Sequence, residues 1–250
     1  MGTIQLIPVD GIPEVRPGDA LAPLIVAALL AAGEGLRPGD IVAVAQKVVS
    51  KSEGRLCRVS EVVPGARARA MAAESGRDAR LLEIVLGETR RIVRWSRGVL
   101  IVETHHGFVC ANAGVDQSNA GAADTVVLLP VDPDASATRL REALRTISGL
   151  DVPVIVTDTF GRAWREGHLN VAIGISGLPA LRRYAGSFDP EGYELKVTEI
   201  AVADELAAAS ELVMGKLDRR PAAVIRGLRL DEAAETGQEY VRPAERDMFR

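Results

Sequence analysis

Apolar positions fall into short runs separated by turn residues. Residues 4–8 predict a strand, and Gly11-Ile12-Pro13 a turn. The apolar run 20–32 predicts a helix, with Asp19 as its N-cap and Gly33 as its stop. Residues 41–45 predict a strand. Residues 64–74 and 78–86 predict helices, broken at Ser75-Gly76. Strands follow at 92–95, 99–103 and 108–111, with tight connections at Gly98 and His106-Gly107. Residues 125–129 are apolar and β-rich, 130–133 read as a linker, and Asp134 or Ser136 caps a helix to about residue 147. The run 152–156 lacks polar alternation, as in a strand buried on both faces. A strand over 170–175, a glycine-bearing loop over 181–193, an Ala-rich helix over 199–214 and a strand over 222–225 complete the pattern, before a charged tail.

The tetrapeptide Arg16-Pro17-Gly18-Asp19 recurs at Arg37-Pro38-Gly39-Asp40, which is turn chemistry and not an internal repeat. Hairpin-like strands mix with helices and no regular βαβ alternation appears. The fold class predicted is α+β, with mixed or antiparallel sheets and helices. At 250 residues the chain is one domain or two intimate subdomains, with the boundary placed at 130–134.

Composition narrows the function. Hydrophobic residues at 47% and charged residues at 26% supply a core and exclude a disordered or fibrous chain. A net charge of −4 gives no basic footprint for nucleic acid, and 4% aromatics are too few for a base-stacking platform. The run 20–32 contains Pro23, is shorter than the ~20 residues of a membrane span and has no basic segment before it. A soluble cytoplasmic protein, with no membrane partner, is expected. Cys57 and Cys110 are too few for a disulfide scaffold or zinc cluster and read as reduced thiols. Arg carries nearly all the positive charge. The only lysines are Lys47, Lys51, Lys196 and Lys216, which draws attention to Lys47 and Lys51 as compact point charges.

Three stretches carry candidate chemistry. In Thr157-Asp158-Thr159-Phe160-Gly161-Arg162-Ala163-Trp164-Arg165 a buried strand ends in an acid and a hydroxyl, able to hold Mg²⁺ or Mn²⁺. Arg162 and Arg165 could face phosphate or carboxylate. The same residues read equally as an Asx turn with solvated arginines. In the loop 111–119, Asp116 could be a second acid at that metal and Asn119 a donor to a nucleotide; a plain polar loop is the alternative. Lys47 and Lys51 are four residues apart and share a face if helical, as two phosphate contacts or as solvated charges. No P-loop, G-x-G-x-x-G, H-E-x-x-H or G-x-S-x-G motif is present. His105, His106 and His168 lack metal-ligand spacing, although His168, just past Arg165, could touch substrate.

Gly11-Ile12-Pro13-Glu14, the stretch 47–54 (Lys-Val-Val-Ser-Lys-Ser-Glu-Gly), the stretch 103–116 and Thr157-Asp158-Thr159-Phe160-Gly161-Arg162 occur in this order. Together they resemble the coenzyme F420-0:L-glutamate ligase family, also called γ-glutamyl ligase, over about residues 4–230. The resemblance implies a family-specific α+β fold, an intertwined homodimer, and amide formation between coenzyme F420-0 and L-glutamate, then a γ-glutamyl link. It further implies GTP as co-substrate, Mg²⁺ or Mn²⁺, and a monovalent cation such as K⁺. Asp116, Asp158 and Thr159 fall on the family's metal positions. Ile12, Pro13, Glu14, Val15, Lys51 and Asn119 fall on its GTP positions. Gln46 occupies a nucleotide-contacting position where serine is common, next to Lys47. The stretch 214–221, with Met214, Gly215 and Lys216, corresponds to a further nucleotide segment. Some archaeal members offer a metal ligand there; an ammonium cannot ligate a metal, so Lys216 implies an altered second metal site. In some bacterial members a flavin-binding domain follows, so the resemblance leaves open a stand-alone chain or a part of a longer one.

The chemistry so implied is phosphorylation of a carboxylate by GTP, then attack by the amine of glutamate. Lys51, helped by Lys47, would offset phosphate charge. Arg162 and Arg165 are candidates for holding the anionic substrate, and 186–192 for a covering loop. A metal-dependent phosphohydrolase and a non-catalytic nucleotide-binding regulatory module remain the alternatives.

Overall fold

The computed structural model describes residues 2–96, 98–117, 124–230 and 236–247. In chain order the elements are β1 (Gln5–Pro8), α1 (Leu21–Ala31), β2 (Ile41–Ala45), α2 (Gln46–Ser52), β3 (Leu56–Arg58), α3 (Ala66–Ser75), α4 (Ala79–Gly87), β4 (Thr89–Ser96), β5 (Val99–Thr104) and β6 (Val109–Ala111). There follow β7 (Thr125–Val127), α5 (Pro133–Ser148), β8 (Val154–Arg162), β9 (Arg165–Ser176), β10 (Arg182–Arg183), β11 (Glu199–Ile200), α6 (Val202–Met214) and β12 (Ala222–Arg226).

The repeated tetrapeptide makes one device twice. In each copy the Asp N–H donates to the Arg carbonyl at 3.1 Å. The Asp carboxylate accepts from the Arg N–H in return, at 2.7 Å for Asp19 and 2.8 Å for Asp40. Gly18 and Gly39 take φ of 90° and 85°, which the third position of this proline turn requires. Asp19 therefore closes its turn and does not cap α1, whose N-cap is Ala20 with no side-chain bond. Pro23 fits in the first turn of α1, where its missing N–H would have had no helical partner. Two further helix starts differ from expectation. Asp132 caps α5 by accepting from Ala135 N–H, and α6 begins at Val202 because Glu199–Ile200 pairs with β10.

The main sheet runs β1-β12-β2-β8-β9. Only β2 and β8 are parallel, with Ala45 opposite Thr157; every other pairing is antiparallel. The α+β expectation with sheets of mixed orientation holds. Val154, Ile155 and Val156 are fully buried, because one face of β8 packs with α1 and α5 and the other with α6. Gly174 of β9 lets α5 approach: a Cβ there would stand 2.3 Å from the Pro133 carbonyl carbon. Between residues 56 and 127 lie β3–β7, α3 and α4, packed around two small apolar clusters of their own. Residues 157–162 lie inside β8, and not beyond a strand end as expected; β8 and β9 form a long hairpin. Among the described residues no helix is long and apolar enough to cross a membrane, and both cysteines are free.

Candidate functional site

The strand order brings four chain segments to one edge of the main sheet. Strands β2 and β8 are parallel, so the start of α2 lies beside Asp158 and Thr159. Strand β12 runs the other way and pairs Ala222 with Val44, so the loop before it reaches the same edge. Strand β1 is antiparallel to β12 and pairs Pro8 with Ala223, so the loop after it arrives there too. The cleft they enclose has a volume of about 640 Å³. Ligands commonly bind at such carboxyl ends of parallel strands.

Most of the predicted residues meet here. Ile12, Pro13, Glu14 and Val15 line the cleft, as do Gln46, Lys47, Lys51, Asp158, Thr159, Met214, Gly215 and Lys216. Because α2 follows β2 directly, Lys47 and Lys51 stand one helical turn apart on the face toward the cleft. Lys51 is buried and its Nζ lies 2.5 Å from Glu14 Oε1, which fastens the 12–15 loop to α2. Gln46 is 1% exposed; its Oε1 accepts from Ser50 Oγ, while its Nε2 has no partner among the described residues.

Asp116 reaches the site from the 56–127 region. Asn112 and Ala113, with φ of 51° and 54°, turn the chain after β6, and Asp116 then exchanges two backbone hydrogen bonds with Val127. Its Oδ2 lies 2.6 Å from Lys47 Nζ. Some of Asp158's surface faces the cleft, but protein surrounds its carboxyl. Desolvation by burial pushes it up to about 7; the Asp116 charge acts the same way, while the Thr159 N–H, Lys47 and Lys216 oppose it. Asp116 and Asp158 thus feel each other, and both feel Lys47.

This donor set fits a hard divalent cation. Two carboxylates and the Thr159 hydroxyl offer oxygen ligands, and burial makes the Asp158 charge costly without a cation beside it. No group of three acidic, histidine or cysteine ligands exists among the described residues. Mg²⁺ in phosphoryl-transfer sites commonly needs only one or two carboxylates, with substrate phosphates and water completing its shell. Lys216 Nζ lies 3.5 Å from Thr159 Oγ1, so an ammonium stands beside that hydroxyl.

The residue reading of the sequence missed a supporting network. Thr159 Oγ1 donates to Asn170 Oδ1 at 2.8 Å, and Asn170 Nδ2 donates to Glu211 Oε2 at 3.0 Å. With its proton committed to Asn170, the Thr159 hydroxyl presents its lone pairs elsewhere. An Asn opening the apolar run 171–175 was the available signal, and the structure buries it to 3% exposure. Arg219 and Arg220 also line the cleft, and Arg220 pairs with Asp10 at 2.6 Å.

Other expected residues lie elsewhere. Arg162 and Arg165 do not line the cleft; they occupy the exposed end of the β8–β9 hairpin. The 186–192 segment does not line it either. Asn119 lies outside the described residues. His105 and His106 bond backbone carbonyls of Gly87, Pro130 and Val131, as local contacts.

Comparison with known proteins identifies the family. The family model described as F420-0:Gamma-glutamyl ligase matches residues 11–227. A coenzyme F420:L-glutamate ligase of Methanothermobacter thermautotrophicus is 43% identical over 250 residues, covering 99% of each chain. One of Methanopyrus kandleri is 44% identical over 258 residues, covering both chains fully. One of Archaeoglobus fulgidus is 40% identical over 249 residues, covering 99% of this chain and 96% of its own.

Proposed function

The chain belongs to the F420-0:gamma-glutamyl ligase family, and from that premise we propose that it joins L-glutamate to coenzyme F420-0 with GTP, first by an amide and then by a γ-glutamyl link. The observation that supports this most is the meeting, at one sheet edge, of acids, lysines and backbone loops from five distant segments.

A carboxylate does not acylate an amine at neutral pH, because its oxygen is a poor leaving group. Transfer of the γ-phosphoryl group from GTP to the carboxylate makes an acyl phosphate and releases GDP. The glutamate amine then attacks the acyl carbon, the C–O bond to phosphate breaks, and the amine proton goes to solvent or phosphate. Lys51 and Lys47 offset the phosphate charge, and the 12–15 and 214–221 loops frame the nucleotide. Asp116, Asp158 and Thr159 would hold Mg²⁺ or Mn²⁺, which when bound supplies further positive charge to the phosphate oxygens. Asn170 keeps the Thr159 hydroxyl turned for that task. Arg162 and Arg165 serve the anionic substrate at the hairpin end. Alignment of the reactants supplies up to about 7–11 kcal/mol of the acceleration in ideal cases. Pairing into a homodimer belongs to the same reading.

The test is mass spectrometry of products from F420-0, GTP, L-glutamate and Mg²⁺ or Mn²⁺. The expected result is F420-0 extended by glutamyl residues, with GDP formed. Phosphate release that needs no glutamate would identify a phosphohydrolase. GTP bound without turnover in any mixture would identify a regulatory module, and either result removes the ligase reading.

A further inference from the structure

Trp164 is placed where neither packing nor backbone preference explains it. It is 87% exposed, so it adds nothing to a core. Arg162 pairs with Arg165 across the hairpin, leaving Ala163 and Trp164 as a two-residue turn. Trp164 takes φ of 66° there, a left-handed conformation that glycine adopts freely and a bulky side chain rarely does. Unexplained strain of this kind is a starting point for a functional hypothesis. The neighbours carry charge. Arg162 and Arg165 flank the indole, and one Arg162 guanidinium nitrogen donates to the Glu166 carbonyl, which orders that end. The Arg165 side chain has no hydrogen bond or ion pair among the described residues, and every residue from 161 to 168 is exposed.

We propose that this hairpin end is a substrate subsite, in which Trp164 stacks on the flat heteroaromatic ring of the deazaflavin substrate, flanked by Arg162 and Arg165. The proposal rests on the ligase reading above and adds where the substrate lies. An exposed indole offers a large flat face with only two side-chain torsions to fix, and a guanidinium beside it stacks on aromatic faces too. Reach agrees with this assignment. Asp158 and Arg162 are four residues apart in one strand, or ~13 Å at the ~3.3 Å rise of a β-strand. A ribityl chain and phosphodiester put about ten bonds between ring and terminal carboxylate, or ~12 Å at the ~1.2 Å advance per bond of an extended chain. Trp164 lies in the turn beyond Arg162, so the length of the ring itself supplies the remaining span before the far carboxylate reaches the level of Asp158 and Thr159. The strand that carries Asp158 also measures the substrate.

The experiment compares the full-length parent with Trp164→Ala, Trp164→Gly and Trp164→Phe, reading KM for F420-0, KM for GTP, Tm and sedimentation velocity. The Ala and Gly variants should raise KM for F420-0 about tenfold, the scale of one lost stacking contact, and Phe should stay within about threefold. KM for GTP should not move. The Gly variant should melt at or above the parent, because it relaxes the left-handed residue. An unchanged KM for F420-0 in the Ala and Gly variants, with product still forming, overturns this inference and leaves the ligase reading intact. A rise in KM for GTP, a Gly variant several degrees less stable, or a parent dimer that dissociates on substitution also overturns it, assigning Trp164 to the nucleotide, the fold or a subunit contact respectively. A parent that forms no glutamylated product removes the ligase reading itself.

Discussion

The two ends of the central strands use the same charged groups to opposite purpose. Where β2 begins and β12 ends, Asp40 is fully buried and Arg226 answers it completely. Arg226 donates to both Asp40 oxygens at 2.8 and 2.9 Å, to Glu34 at 3.1 Å and to the Gly35 carbonyl at 2.8 Å. The Asp40 bonds hold the Arg226 guanidinium still further above its ordinary pKa range. At the other end, some five residues away along each strand, the pairs are spread over separate groups, one of them exposed. Lys47 takes Asp116 and Lys51 takes an exposed Glu14, while burial keeps the Asp158 carboxyl well above its usual range. A closed cluster holds strands together. An open one keeps charge in reserve for a ligand, and such imbalance is common where function resides.

The largest expected effect comes from the open end. Asp158→Asn keeps the shape and removes the desolvated charge. We expect glutamyl ligation to fall about a thousandfold, equivalent to ~4 kcal/mol of transition-state stabilisation. Thermal unfolding should show the variant no less stable than the parent, since a poorly compensated buried charge is lost. Ligation at the parent rate would remove Asp158 from the metal assignment and leave the contrast between the two ends without content.

Arg226→Met should give the reverse pattern. Among the described residues Asp40 would remain buried with only the Arg37 N–H, and breaking one side of a buried pair costs about 3–5 kcal/mol. Urea unfolding of Arg226→Met measures this. The double variant Arg226→Met with Asp40→Asn should recover a large share, because no uncompensated charge is left behind. Kd for GTP should match the parent in both while the chain is folded. Weaker GTP binding from either variant would mean that the two ends are coupled through the sheet and are not separate devices.

The residues show how much of this was legible. Periodicity and turn chemistry located most elements, because each is a local property: the twin Arg-Pro-Gly-Asp turns, the run at Val154–Val156, and Gly76 as a left-handed helix stop. The strand order was not legible, since the β2–β8 pairing joins residues more than a hundred positions apart. The cleft residues at 12–15, 46, 47, 51, 158 and 159 were legible through motif resemblance, and the sheet edge supplies the reason that they meet. Asn170 and Glu211 were not, because their importance is a hydrogen bond between a strand and a helix 41 positions apart. Asp19 misled for a physical reason: an Asp before a helix can serve its turn as well as the helix, and here the turn took it.

The smallest effect tests how loosely the open end is closed. Glu14 is 69% exposed at its side chain, so its pair with Lys51 is well hydrated and contributes little to the fold. Lys51→Ala should raise Kd for GTP about tenfold, near the low end for a charge-assisted hydrogen bond at ~1.5 kcal/mol, because the exchange of Glu14 for a phosphate offsets part of the gain. KM for glutamate should stay within twofold. Glu14→Ala should then move in the opposite direction. It frees the ammonium, so titration calorimetry should show GTP binding equal to the parent or up to about threefold tighter, with stability within ~0.5 kcal/mol of the parent. The contrast with the strand pole is sharp, since there the loss of either partner disrupts a cluster closed within the fold. If Glu14→Ala instead destabilises the chain by several kcal/mol, the carboxylate is a structural partner of Lys51, and this part of the cleft belongs with the closed cluster.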